Sequence, residues 1–272
     1  MDLTLEKLVR KAHTFFNYMT NYYERAETSN EKLILELSKI NPFSEEFMKR
    51  VQDRDINITE APYLFSEELI NDTDIDSNKI QDMINFADKF INYEPEIFGL
   101  YGIFISVMMN KYLINNKNLD IDTMNNSKVH NSAYYRNNNG IECSYPWKCL
   151  EKIKEYNRDN LLISNLASRL KKGNIKIKGN VGNFFAKESN CNIELNGECG
   201  WRPCYELSGG VVRINGTAGH DLANCAKNGM IFVNGKIRSI GNYYTTAYGH
   251  EIFLNDKKMP KKLVSLNNSI NN

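Results

Sequence analysis

Two short stretches carry the residue types that chemistry needs. "GHDLANC" places His220, Asp221 and Cys225 within a few residues of one another. A nucleophilic thiol needs a base in hydrogen-bond reach and often an acid behind it, and this trio holds one of each. "GECGWRPCYEL" adds Trp201, Arg202, Cys204, Tyr205 and Glu206. Arginine beside aromatic rings suits the binding of a ligand or a protein. The structural alternative is equally concrete. Leu222 can point into a core and leave His220 or Asp221 as a solvated or turn-capping pair, while Trp201 covers a bulged corner.

The remaining candidates say less. His13 falls among helical core residues and His130 in a polar loop. Six cysteines contain no C-x-x-C: Cys143 and Cys149 lie in "CSYPWKC", and Cys191, Cys199, Cys204 and Cys225 are scattered. They read as small thiols and not as a zinc site, so no metal is expected. The glycine run "GGVVRINGTAG" invites comparison with a phosphate loop. It lacks the G-x-x-x-x-G-K-S/T and G-x-G-x-x-G patterns, and no glycine run opens a helix whose N-terminus would hold an anion. No nucleotide or other cofactor is expected.

Bulk composition narrows the partners. The chain has 272 residues, with 34 Lys and Arg against 33 Asp and Glu, a formal charge of +1. That balance gives no electrostatic reason for nucleic acid or an anionic membrane. The most apolar run, Ile97 to Met109, is too short to span a bilayer. The first residues show no basic region followed by an apolar one, so a cytoplasmic location without a secretion signal is expected.

The elements that must position these residues change character near residue 172. Before it the pattern is helical. Leu5, Leu8, Val9, Ala12, Phe15, Phe16 and Met19 recur at helical spacing. Thr28 and Glu31 make a capping box, Pro42 stops that helix, and Ser44 can cap the next. Asp76 or Ser77 can open a helix carrying Ile80, Met83, Ile84, Ala87, Phe90 and Ile91 on one face. Ile97–Tyr112 reads as a buried helix, 115–140 as an asparagine-rich loop, and "PWKCLEKIKEY" and "NLLISNLASRLKKG" as helices again, the last stopped by Gly173.

After residue 172 the chain repeats. "GNIKIKGNVG", "CNIELNGECG", "GVVRINGTAG", "GMIFVNGKIR" and "HEIFLND" superpose at a spacing near 19 residues. Such a period means stacked structural units. Ile175 and Ile177, Ile193 and Leu195, Val212 and Ile214, Ile231 and Val233, and Ile252 and Leu254 alternate with polar residues, so each pair faces one side. Stacking makes them two apolar files. Asn196, Asn215, Asn234 and Asn255 follow the pairs, and Gly197, Gly216 and Gly235 follow three of these. Asn and Gly tolerate the left-handed backbone of a sharp corner, and stacked asparagines can bond to one another. Gly179 occupies the same corner of the first unit, and Gly182, Gly200 and Gly219 form a second column. Val181, Cys199, Ala218 and Ile237 are expected to face inward between them.

The segments "GNVG" at 179–182, "GECG" at 197–200 and "GTAG" at 216–219 resemble the GXGXG domain found in the glutamate synthase large chain and in formylmethanofuran dehydrogenase. The resemblance covers about residues 173–256 and implies a right-handed parallel β-helix. In those enzymes that domain holds other domains or subunits in place and supplies no catalytic residue.

The expectation is therefore an α+β chain of two domains. Residues 1–172 form an all-α helical domain, 173–256 a right-handed parallel β-helix of about five coils, and 257–272 a tail or cap whose lysines discourage edge pairing. Between the core pairs the outward residue is Lys176, Glu194 and Arg213, then Phe232 and Phe253, with Met230 beside Phe232. That apolar strip reads as an interface. The expected role is a non-catalytic scaffold with a protein partner or a second copy. Two alternatives stand beside it. One is an enzyme whose site lies between the helical domain and the β-helix and uses His220, Asp221, Arg202 or Glu206. The other is a small-ligand sensor with an apolar pocket around Ile97–Met109.

Overall fold

A computed structural model describes residues 7–12, 14, 60–91, 97–123, 163–242, 244 and 248–261. Of helix residues 87–91 and 97–99 only the backbone is described. The expectations for His13, His130, Thr28, Glu31, Pro42, Ser44, Cys143, Cys149, "PWKCLEKIKEY" and the tail beyond residue 261 lie outside these residues.

Among the described residues, 7–12 are helical, and nine strands follow three further helices: α1 Ala61–Ile70, α2 Ser77–Ile91, α3 Ile97–Asn115, β1 Asn118–Asp122, β2 Asn174–Lys178, β3 Asn190–Asn196, β4 Gly209–Ile214, β5 Thr217–Ala218, β6 Met230–Val233, β7 Lys236–Ile237, β8 Glu251–Leu254 and β9 Lys257–Lys258. The long sheet runs β1-β2-β3-β4-β6-β8-β9 and is parallel until the final β8–β9 hairpin. A second, short ladder pairs β5 with β7. This is a parallel β-solenoid of about four turns.

The two apolar files are present. Ile175, Ile193, Val212, Ile231 and Ile252 are register partners from strand to strand, and all are buried. Ile177, Leu195, Ile214, Val233 and Leu254 make the second file. Val181, Cys199 and Ala218 bridge in parallel and are buried; Ile237 is half-buried. Each fully buried Ile or Leu contributes about 1.5–3 kcal/mol, so the files are the main source of cohesion.

The residues before 173 are not all helical. Asn118–Asp122, expected within the loop 115–140, is strand β1, and Leu119 and Ile121 extend both files by one rung. The helix expected over 160–173 is absent from its described part. Residues 164–169 are successive turns in which Asn165, Ala167 and Arg169 take φ of 59°, 59° and 55°. The same alternation returns at Phe184, Ala186 and Glu188, at Arg202, Cys204 and Glu206, and at Asp221, Ala223 and Cys225. These four arcs close one side of the coil. Non-glycine residues pay roughly 1–2 kcal/mol each for this backbone. Bonds between arcs offset it: Asn165 N–H to Asn183 O at 2.8 Å, Phe184 N–H to Trp201 O at 2.8 Å, Arg202 N–H to His220 O at 2.8 Å, and Cys204 N–H back to Phe185 O at 2.7 Å. Leu166, Phe185 and Leu222 point inward from three arcs and are fully buried. The solenoid thus begins inside the segment assigned to the helical domain.

From Leu100 to Met109 helix α3 is apolar on nearly every side because it is buried on every side, with Tyr101, Phe104, Ile105, Met108 and Met109 nearly inaccessible. It packs on α1, α2 and β1. Asp76 caps α2 by accepting the Lys79 N–H at 2.8 Å. The carbonyls ending α1 receive two ammonium groups. Lys111 donates to Ile70 O and Asn71 O, each at 2.6 Å, and Lys11 donates to Leu69 O at 2.6 Å and to Asp72. The Lys11 bond holds the Asp72 carboxyl below its ordinary range.

The helices stop the solenoid at its first rung. Gln81 of α2 acts as a strand edge: its Oε1 accepts the Asp122 N–H and its Nε2 donates to the Asp122 carbonyl, both at 2.7 Å. On α3, the Ser106 hydroxyl shares its one proton between Gly102 O at 2.7 Å and Asn165 O at 3.0 Å, and its Oγ accepts the Ser168 N–H at 3.1 Å. One turn on, Asn110 donates to Arg169 O at 3.0 Å and accepts the Lys171 N–H at 3.1 Å. One turn back is Gly102, where a Cβ would sit 1.7 Å from Ser164 O. Spaced four residues apart, the three share one helix face against the first arc.

Candidate functional site

The corner residues are built for stacking more than for turning. Among the non-glycine residues with positive φ, the corner asparagines contribute only Asn255, at 47°. Asn196, Asn215 and Asn234 instead form the expected ladder, with Asn215 Nδ2 donating to Asn196 Oδ1 at 2.7 Å and Asn234 Nδ2 to Asn215 Oδ1 at 2.9 Å. Asn255 ends it by accepting the Gly235 N–H at 3.0 Å. A second ladder was not anticipated: Asn192 bonds to Asn174 and Asn174 to Asn118, each at 3.0 Å.

The glycines require a similar correction. Gly179 does take left-handed φ, at 111°. In the columns that follow, close approach of the neighbouring coil decides the residue type. A Cβ at Gly197, Gly216 or Gly235 would meet the carbonyl oxygen of the preceding corner glycine at 2.1–2.3 Å, and one at Gly219 would meet Gly200 O at 1.9 Å. Gly200 in turn donates to Gly182 O at 3.1 Å. Alanine there would push two coils apart.

The candidate catalytic residues sit on the third and fourth arcs. Arg202 Nε donates to Asp221 Oδ2 at 2.8 Å, and Asn224 Nδ2 donates to the same oxygen at 2.8 Å. The Arg202 guanidinium lies 4.1 Å from the Trp201 ring centroid and 5.5 Å from that of Tyr205. Phe184 meets both rings edge-on. His220 Nδ1 is 3.3 Å from Ser239 Oγ, which accepts the Asp221 N–H at 2.9 Å. Cys225 Sγ points to Asn224 Oδ1 at 3.6 Å, and burial raises its thiol above the ordinary value. A thiol shifted that way is a poorer nucleophile at neutral pH. Asp221 braces Arg202 rather than orienting a histidine. Burial likewise pushes Cys191 and Cys199 up to about 12.

The junction of helices and solenoid holds two open clefts. One, about 340 Å³, runs from Gln81 along Asp120 and Asp122 to Lys176 and Lys178. The other, about 400 Å³, lies between Glu60 and Arg169, Lys171 and Glu188. Neither is lined by His220, Asp221, Arg202 or Glu206, and neither by α3. In the second, burial alone would raise Glu188, but Lys187 and Arg169 outweigh it and hold the carboxyl below its usual range. Among the described residues no group of three or more His, Cys, Asp or Glu is placed to hold a metal ion. Among them, too, no helix is long and apolar enough to cross a membrane.

That leaves the outer face of the long sheet. Its central column is Asp120, Lys176, Glu194, Arg213, Phe232 and Phe253, in register from β1 to β8. The helices pack at the β1 end. At the far end Phe232 and Phe253 stack at 4.7 Å with an 11° interplanar angle, and Arg213 lies 4.2 Å over Phe232. The rings face outward as expected and are half-buried. Met230 beside them is 42% exposed. Searches of protein families, curated proteins and solved structures find no match to the chain.

Proposed function

We propose that the chain is a non-catalytic scaffold that works through the outer face of its long sheet. One observation carries the reading: Met230, Phe232 and Phe253 form an apolar end to the outer face of the long sheet, at the end away from the helices. Exposed apolar clusters mark contact sites. The competing chemistry is weakened by geometry, since Asp221, Arg202 and Asn224 bond to one another and the Cys225 thiol is shifted away from reactivity. The resemblance of the glycine segments to the GXGXG β-helix, a right-handed packing module in glutamate synthase, supports the same reading, as does the solenoid itself. A protein partner or a second copy would then cover the face.

The test is protection of the face in its native setting. A Met230→Cys chain is labelled with a thiol reagent after purification and again in extract of the native cell. A clearly slower rate at residue 230 in extract is expected, with a cysteine at exposed Lys227 as the reference. Equal rates at both positions would remove the scaffold reading.

A further inference from the structure

We infer that the occupant of this face is a second copy of the same chain, packed about a twofold axis between Glu194 and Arg213. The inference rests on the scaffold reading and names its partner.

Three observations lead to it. Among the described residues the ends of the solenoid are met by Gln81 and α3 at one side and by the short, lysine-bearing β9 at the other, which disfavours strand-to-strand growth and leaves the outer face of the long sheet. Next, the central column alternates in charge: Asp120, Lys176, Glu194, Arg213. Neighbours of opposite sign usually pair across strands. Here they do not close to ion-pair distance. The described salt bridge between β1 and β2 belongs to the next column, Lys178 to Asp122 at 3.7 Å. Glu194 accepts from Asn215 at 3.3 Å, and Arg213 lies over Phe232. The column's charges are therefore available to a partner.

The third observation is the order of the column. A twofold axis lying between the two faces and parallel to the strands opposes the faces and reverses it. Set between Glu194 and Arg213, it lays each Glu194 opposite the other copy's Arg213. Lys176 then comes beside the other copy's Phe232, whose two ring faces are already covered by Phe253 and Arg213, so the Glu194–Arg213 pairs carry the recognition. Asp120 faces the other Phe253, diagonal to Lys258, which is already paired with its own Glu251 at 2.6 Å. No other axis position along the column pairs Glu194 with Arg213.

The experiment exploits the reversal. Mass is measured by sedimentation or light scattering across the micromolar range for the full chain, Glu194→Arg and Arg213→Glu. The unaltered chain is expected to dimerise. Each single variant opposes like charges and is expected to raise the dissociation constant ~10-fold or more. An equimolar mixture of the two restores both pairs, so a heterodimer of near-original affinity is expected. Misfolded chains could not rescue one another in this way. A monomeric unaltered chain, unchanged variants or a mixture that stays monomeric would each overturn the inference. In the first case, slow labelling of residue 230 in native extract would still uphold the scaffold with a different partner.

Discussion

The two ends of the solenoid solve one problem with different materials. A terminal coil leaves backbone donors and acceptors open, and something must meet them. At the first rung the answer comes from far away in sequence. Gln81, Ser106 and Asn110 reach from two helices to Asp122, Asn165, Ser168, Arg169 and Lys171, and Gly102 lets the helix close in. At the last rung the answer is local. The chain turns at Asn255–Asp256, pairs β9 with β8, and is tied by Tyr244, whose hydroxyl accepts the Ile252 N–H at 3.2 Å and donates to Met259 O at 3.0 Å. A cap embedded in the main core should open with the whole fold, while a local one can open alone.

Breaking the first cap gives the largest effect. Gly102→Val would drive its Cβ into Ser164 O and lift α3 from the arc. A loss of about 3 kcal/mol or more is expected, seen calorimetrically as one cooperative transition lowered by roughly 10 °C. A change of under a degree would show that α3 is not the seat of this end.

Acid should act on the other end. His250 is fully buried, and neither ring nitrogen makes a well-formed hydrogen bond. Among the described groups Tyr244 and Tyr248 pack on the ring, and Lys261 is the nearby charge. Burial, helped by Lys261 and offset only in part by the Ala226 backbone, lowers the imidazole from 6.5 to about 4. Between those values the unfolded chain binds a proton that the folded one refuses. Stability is therefore full above pH 6.5 and falls as the pH drops toward 4, by at most about 3 kcal/mol. Hydrogen exchange at pH 5 should accelerate at 249–261 before 163–178, and His250→Phe should abolish that difference. Uniform acceleration along the chain would show that the last rung does not open by itself.

The smallest change sharpens the contrast. Gln81→Leu keeps much of the volume but leaves the Asp122 N–H and C=O without their partner. About 1–3 kcal/mol is expected from thermal melts, again without loss of cooperativity. Separate melting of the helices would mean that the first cap is a detachable domain after all.

Much of the solenoid was legible because its files repeat a period-two pattern at near-constant spacing. Ile175 through Ile252 announce themselves, and so does the ladder from Asn196 to Asn234. Strand β1 was hidden by composition, yet "NLDID" has the same Asn-apolar-polar-apolar order as "NIKIK". That match was the signal to follow. The arcs gave less warning. Leu166, Ala167 and Leu170 sit at helical spacing, and the left-handed positions are taken by Phe184, Arg202 and Cys204, residue types that carry no mark of that backbone. The corner glycines were visible, but their cause was not, because a carbonyl pressed against a missing Cβ belongs to another coil. The structural roles of Arg202 and Asp221 were hidden for the same reason: each has its partner on the adjoining arc.

The register partners Ile175, Ile193, Val212, Ile231 and Ile252 are separated by 18, 19, 19 and 21 residues. Because carbonyl and glycine interlock at the corners, a single added residue there would throw every later contact out of step. The distance between the helical stop and the hairpin stop is in this sense quantised. Such a protein can be lengthened or shortened as a staircase is, by whole treads, with both landings left as they are.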